Sequence, residues 1–429
     1  MFAIPGFSHC KTVVYGAAVF VQATSELSAQ NFTGRSASLN PFGVNGPLPF
    51  GKIPNFANFG GGLELKGGFS FGAGFSSTYN SNVLISENDP ESDVTLSLSP
   101  TLSYTSDPEG GAPMVISAAY SPSASASLSN SDYNSFDQSG TVSMIVSGAR
   151  TTISAFAGIS QDSGADSLAV SQGFFTGTAV SLGLQGSYQL APRTSVSAGW
   201  SSSITDYGES AGNSGSAGVS AVGFNGHSLN VGASWAATER LSFGPSLSYS
   251  TSSSDATVDF STWGFSMVGN YQVSEKIQVA ASMGIQYSDY SQEGESGGLS
   301  PTGSLNASYQ INELWSWGGS IQSSLTPSPT GTNYAINGWS LSSSLSRQLL
   351  IGSIGIGVNM DFSNFESVGA PGALPENQEA QQNLGLSLNY SRPLFGDRVG
   401  FSSSILYRVN YGDVEWSQVE LTVGLTMAF

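Results

Sequence analysis

An all-β transmembrane antiparallel up-and-down barrel is the fold class this sequence predicts, with about eighteen strands, short turns at one end and long loops at the other. Three observations carry that reading. Side chains alternate apolar and small-polar through most of the chain, the period of a strand with one apolar and one wet face. The links between alternating segments sort into two kinds, short tight turns and long acidic loops. And only 10% of the 429 residues are charged, against roughly 25% in a typical soluble domain.

The alternation is clearest at the C-terminus. From Val419 to Phe429 every odd position is large and apolar, and every even position is small or polar: Glu420, Thr422, Gly424, Thr426 and Ala428. Earlier segments repeat the pattern. Leu63, Leu65, Phe69, Phe71 and Phe75 share one face, with Glu64, Lys66, Ser70 and Ser76 on the other. Val94, Leu96, Leu98, Leu102 and Tyr104 alternate with Thr95, Ser97, Ser99, Thr101 and Ser103. Ile277 to Tyr287 and Val399 to Val409 behave alike. No window of about eighteen uninterrupted apolar residues exists for a helical span, whereas a barrel strand needs only about 9–11 residues, half of them apolar. Pro100 and Pro245 fall inside strand-like runs, where the missing N–H predicts bulges or strand rims.

Residues 1–29 read as a signal peptide: Lys11 gives one positive charge, Thr12 to Val21 an apolar core, and Ala23-Thr24-Ser25 or Leu27-Ser28-Ala29 a small-residue cut. Removal would take the single cysteine, Cys10, with it. Residues 30–61 are rich in Gly, Pro and Asn and read as an irregular segment; residues 62–429 read as the barrel.

Counting follows from the turns. Short turns are expected near Asp107–Ala112, Gly148–Thr151, Ala191–Arg193, Ala237–Glu239, Ser274–Lys276, Asn312–Glu313, Gln348–Leu350 and Arg392–Asp397. Each joins two strands, and the first and last strands complete an even number with both termini at the short-turn end. Sixteen is the alternative, turning on the Val142–Ile159 region. The long links are expected over Asn130–Gln138, Gln161–Gly173, Asp206–Gly226, Thr251–Thr262, Ser288–Ser300, Pro327–Gly338 and Ser363–Gln382.

Residue roles follow from position. Tyr104, Tyr188, Trp235, Tyr271, Tyr309 and Tyr390 end successive descending strands on the apolar face, where an aromatic belongs at the headgroup level as a lipid-interface girdle. Inward faces carry Ser, Thr, Gly, Asn and Gln. Arg398 and Arg408 share the inward parity of their strand and, with Glu64 and Lys66, are the candidate lumen residues. Carboxylates such as Asp132, Asp137, Asp162, Asp206, Asp289 and Glu366 lie on the long-link side and would concentrate cations at a channel mouth.

Other chemistries find little. The formal charge of −18 argues against nucleic acid, which is held by basic patches. His9 and His227 are the only histidines, and His227 reads as a solvated residue of a Gly/Ser-rich loop. No catalytic residue, metal-ligand set or cofactor motif is read, so the chain is not expected to be an enzyme.

Two resemblances complete the reading. A terminal strand ending in an aromatic resembles the closing strand that bacterial outer-membrane barrels present to their insertion machinery; it implies Leu421, Val423, Leu425, Met427 and Phe429 as the insertion signal and the barrel-assembly machinery as partner. Tyr79-Asn80-Ser81-Asn82-Val83, Glu91-Ser92-Asp93-Val94 and Leu98-Ser99-Pro100-Thr101-Leu102-Ser103-Tyr104 resemble the opening of the β-barrel porin-2 family. That resemblance implies an integral bacterial outer-membrane protein in contact with lipid and lipopolysaccharide, and brings no catalytic residues. The expected function is a porin-like passive channel for small hydrophilic solutes, cation-leaning. The alternative is a non-conducting structural or adhesive barrel, or an accessory to envelope polysaccharide export. Solute and oligomeric state stay open.

Overall fold

The computed structural model describes residues 68–429, apart from 88, 107–111, 166–173, 208–222, 254–258, 291–297, 328–333, 368–380, 396–397 and 413–414. The expected leader 1–29, the segment 30–61, and Glu64 and Lys66 lie outside the described residues.

Eighteen strands follow one another along the chain: β1 (Phe69–Asn80), β2 (Asp93–Thr105), β3 (Met114–Ser127), β4 (Ser135–Ser147), β5 (Thr151–Ala165), β6 (Phe174–Ala191), β7 (Thr194–Tyr207), β8 (Phe224–Ala236), β9 (Leu241–Ser253), β10 (Phe260–Gln272), β11 (Ile277–Tyr290), β12 (Gly298–Gln310), β13 (Trp315–Pro327), β14 (Tyr334–Gln348), β15 (Ser353–Ser367), β16 (Gln381–Pro393), β17 (Val399–Tyr411) and β18 (Trp416–Ala428). Each pairs antiparallel with its neighbours in sequence, and β1 pairs with β18, so one sheet closes into a ring. The count is eighteen, with Val142–Ile159 making β4, β5 and the turn between them. All eight expected short turns fall between the strands assigned to them; residues 107–111 and 396–397, parts of two of these links, lie outside the described residues.

Alternation settles which face is which. On β11 the outward row is Ile277, Val279, Ala281, Met283, Ile285 and Tyr287, and it ends at Asp289. That apolar span matches the roughly 9–11 residues a tilted strand needs to cross hydrocarbon. Leu421, Val423, Leu425 and Met427 of β18 face outward and are exposed. A second band of outward aromatics lies at the long-link end: Tyr249 against Trp263 at 4.3 Å, then Tyr287, Trp339 and Phe362. Tyr271 and Trp263 of β10 are eight residues apart, about 27 Å along a strand, or roughly 19–22 Å of height at a tilt of about 35–45°, close to the apolar band between two aromatic belts.

The inner face explains the serine content. Hydroxyls meet across strands in pairs: Ser97 with Ser125 at 2.8 Å, Ser282 with Ser304 at 2.7 Å, Ser320 with Ser342 at 2.7 Å and Thr78 with Thr422 at 3.0 Å. A hydroxyl both donates and accepts, so each pair makes a hydrogen bond without charge and keeps one donor for water or a solute. Phe156 is an inward exception. Its ring lies over Gly183, where a Cβ would come within 2.1 Å of it.

Several expectations are corrected here. Pro100 and Pro245 cause no bulge and sit mid-strand. Pro100 stands opposite Pro122, and the β2–β3 ladder is interrupted between the Leu98–Ala124 and Leu102–Tyr120 pairs with register unchanged. The β8–β9 ladder has the same gap at Pro245. A proline nitrogen at least has no proton to leave unsatisfied in lipid. The register shift falls elsewhere, between Gln189 and Ala191. The long links are also shorter than expected, because strands run on into them: Asp137, Asp162, Asp206 and Asp289 all lie on strands. Asp206 and Asp289 face outward and are exposed, while Asp137, beside the outward and exposed Phe136, turns inward.

Neighbouring residues test the parity. Ile405→Arg puts a charge on the outer face mid-strand and should cost roughly 2–4 kcal/mol. Ser404→Arg puts the same group on the inner face and should cost under about 1 kcal/mol. Urea unfolding in lipid vesicles reads both; equal costs would invert or abolish the assigned faces.

Candidate functional site

The inner wall is least uniform at the long-link end of β15–β18 and β1, where charge and amides replace serine. β17 turns Arg408 inward, because Tyr407 and Val409 occupy the outward row. β18 turns Glu420 inward between Val419 and Leu421. Arg408 Nη2 meets Glu420 Oε1 at 3.0 Å, with side-chain exposures of 6% and 17%. Asn80 of β1 donates to the same Glu420 oxygen at 3.5 Å.

Register extends the patch. Asn359, Gly385, Arg408 and Gln418 stand side by side on four strands. Asp361, Asn383, Asn410 and Trp416 form the next row. Gly385 has a spatial reason: a Cβ there would lie 2.1 Å from Asn359 Oδ1. Asn359 Nδ2 reaches Asp361 Oδ2 at 3.5 Å. Asn410 and Gln418 are each 1% exposed and Trp416 5%. Trp416 is a large apolar side chain on the wet face, against the alternation of its own strand.

The β1–β2 link closes over this wall. After Ser81 pairs with Val419, the chain leaves the ladder and turns to the inner side. Gln418 Nε2 donates to Asn82 O at 2.8 Å. Asn82 Nδ2 donates to Ser86 O at 2.8 Å and to Ser417 O at 3.2 Å, and Ser86 N donates to Asn82 Oδ1 at 2.8 Å. These bonds hold Ile85, 1% exposed, at φ 55°. A β-branched residue there is strained by roughly 1–3 kcal/mol, which the Asn82 clasp offsets. Asp93 carries the wall on to β2, accepting from Ser127 Oγ and, at 3.0 Å, from Ser129 N.

A second clasp ties this link to the next. Glu91 Oε2 accepts from Tyr133 Oη at 2.9 Å, and Tyr133 sits in a short 3-10 turn, Ser131–Tyr133. Burial first, then the Glu91 carboxylate, pushes the Tyr133 hydroxyl up to about 12.

Of the expected lumen residues, Arg408 stands on the inner wall, while Arg398 lies exposed in the β16–β17 turn. Ten residues separate them, about 34 Å along a strand, so they do not act together. Glu420 was recoverable from the same parity that selects Arg408; Asp361, Asn80 and Asn82 required the register between distant strands. His227 is corrected: it lies on β8, faces outward beside the end of the apolar row, and pairs across to Ser202 and Thr251. The six expected girdle aromatics all face outward at the short-turn end of their strands. Trp235 packs edge-on against Phe243 at 5.3 Å, Tyr104 against Phe69 at 4.7 Å and Tyr390 against Phe401 at 6.3 Å.

The wall therefore offers amide donors and acceptors, one neutralised cation, and carboxylates at Glu420, Asp361 and Asp93. It can hydrogen-bond a polar solute and leans electrically negative.

No protein-family model matches the chain, and no curated protein sequence matches it. Among solved structures, OccAB4 of Acinetobacter baumannii is 11% identical, with TM-score 0.46, covering 84% of this chain and 98% of that one. OprD of Pseudomonas aeruginosa is 12% identical, with TM-score 0.42, over 84% and 95%. The siderophore receptor PirA of Pseudomonas aeruginosa is 11% identical, with TM-score 0.41, over 83% and 80%. At these values nothing about solute or activity transfers from them.

Two outcomes check the site. Arg408→Met and Glu420→Met should each destabilise, by up to about 3–5 kcal/mol, because each removes one partner of a largely buried pair, and the double variant by clearly less than the sum; a double-mutant cycle by urea unfolding measures it. For Tyr133 the folded value lies above the unfolded one of roughly 10. The clasp's contribution is thus full below about pH 10 and lost as pH rises toward about 12. The stability gap between the protein and Tyr133→Phe should close over that interval.

Proposed function

We propose that the chain is an integral bacterial outer-membrane barrel that forms a passive diffusion channel for small hydrophilic solutes, with a preference for cations. One observation carries this reading: the sheet closes completely on itself, with an apolar outer face and a hydroxyl-and-amide inner wall. A closed ring leaves no unpaired backbone edge, which is what hydrocarbon demands. An eighteen-strand ring is wider than one that side chains alone can fill. Solutes would cross the serine-lined part of the lumen and meet the Arg408–Glu420 wall at the long-link end. The excess of carboxylates there supplies the cation preference.

Membrane entry would use the C-terminal strand. Phe429 N donates to Phe71 O at 2.8 Å, and the two rings lie 5.5 Å apart, so the last residue seals the seam on the outer face. Recognition of Leu421, Val423, Leu425, Met427 and Phe429 by the barrel-assembly machinery fits that placement. The motif-level likeness to the β-barrel porin-2 family belongs with this reading.

One observation favours a second reading. Arg408, Asn410, Gln418 and Ser288 are inward yet nearly inaccessible to solvent, as they would be in a barrel closed at the long-link end. A non-conducting structural or adhesive barrel is the form that takes.

Planar-bilayer recording separates the two. The channel gives discrete current steps, and in a potassium chloride gradient the reversal potential moves toward the cation value. Asp361→Asn should reduce that displacement while leaving the steps in place. Purified, membrane-inserted protein that gives no steps sinks the channel reading.

A further inference from the structure

The cations of the barrel are distributed by end. Every lysine and arginine after residue 68 except Arg408 lies at the short-turn end: Arg150, Arg193, Arg240, Lys276, Arg347, Arg392 and Arg398. Most are turn residues, and three directly follow a carboxylate: Glu239-Arg240, Glu275-Lys276 and Asp397-Arg398. Arg347 and Arg392 differ. They lie on strands β14 and β16, face outward with the apolar row, and are exposed. Neither forms an ion pair among the described residues.

Register brings the two together. Arg347 stands opposite Ile354, which stands opposite Tyr390, and Arg392 is the next outward position along β16. Two strand spacings and two residues put their Cα atoms roughly 12 Å apart, within reach of one headgroup for two long side chains. Ile354 lies between them. Arg347 is held in place, its guanidinium carbon 5.1 Å from the Trp315 ring centroid. The turns joining β14 to β15 and β16 to β17 are apolar at their tips: Leu350 is 102% exposed, Ile351 59% and Phe395 76%.

We propose that the outward face of β14–β16 at the short-turn end binds an anionic glycerophospholipid, its phosphate between Arg347 and Arg392 and its acyl chains along the row that begins at Ile354. Three features choose a lipid over a protein partner. The face continues the apolar belt without a step. The cations stand at the level of Tyr390, one of the aromatics that mark the headgroup region. And a guanidinium resting over an outward indole stays at headgroup level, where lipid phosphate is an anion it can pair with. The exposed Leu350–Ile351 tip gains the hydrocarbon cover it otherwise lacks. The site rests on the barrel's being embedded in a membrane, and not on its conducting.

The test places full-length protein in nanodiscs of mixed phosphatidylcholine and phosphatidylglycerol and counts the lipids retained in native mass spectra. The expected result is phosphatidylglycerol enriched on the order of tenfold over its bulk ratio, as two cations at the surface allow. R347Q/R392Q should return retention to the bulk ratio, and R150Q/R193Q, equal in charge change, should not. Raised salt applied to the unaltered protein gives a readout that needs no variant, and should reduce the enrichment. Retention at the bulk ratio, or equal loss in both double variants, overturns the site while leaving the barrel embedded. Protein that stays in solution without detergent or lipid overturns the membrane reading itself.

Discussion

A backbone amide in hydrocarbon has no solvent to turn to, and everything else in this barrel follows from satisfying that demand. Eighteen strands pair around a full circle, and the circle is completed by β18 against β1, the most distant pair in the chain. Once closure removes the edges, the outer face need only be apolar. Close packing against a second layer is unnecessary, which is why Leu, Val, Ile and Ala can stand exposed in rows with glycines among them. Proline is admitted to mid-strand on the same logic. At Pro100 and Pro122, two residues without N–H face each other and the ladder simply skips a step.

The inner face is made wet without being made charged. Serine and threonine hydrogen-bond across strands, which leaves the wall polar and its hydroxyls in place. Charge is reserved for the ends. Nearly all the cations gather at the short-turn rim, where carboxylates partly offset them, and most carboxylates lie at the long-link end, so the barrel is more negative at one end along the direction in which a solute would travel. Arg408 is the exception to that sorting, and it is tolerated because Glu420 lies 3.0 Å away.

How much of this could be read from the sequence depended on range. Period-two alternation is local, so the strands, their faces, the eight short turns and the inward direction of Arg408 were legible. Strand ends at the long-link side were not: the apolar row stops at residues such as Asp289 while the ladder continues, because backbone pairing outlasts the membrane. The same error placed His227 in a loop. Contacts between strands far apart in sequence were invisible for a different reason. Alternation says that Asn80, Asp361 and Glu420 face inward, but not that Asn80 and Glu420 meet. Trp416 could not have been placed at all, since a tryptophan at a strand end reads as outward by composition.

Closure itself poses a problem that alternation cannot solve. A slip of one residue between β1 and β18 would send Glu420 to the lipid face and is forbidden by polarity. A slip of two preserves every in-and-out assignment. The inward residues of β1 nearest the short turns, Gly72, Gly74 and Ser76, are too small to resist it. The other end of the seam can. Asn80 reaches Glu420, Asn82 reaches Ser417, and Gln418 reaches back to Asn82. A two-residue shift would separate all three contacts and leave Glu420 with Arg408 alone, inside a wall whose amides had lost their partners. Buried polar groups of this kind are costly when half satisfied, so they discriminate between registers that hydrophobicity treats as equal. The cluster that lines the proposed solute path thus also selects the register in which the ring closes, and the strained Ile85 turn lies where that selection is made.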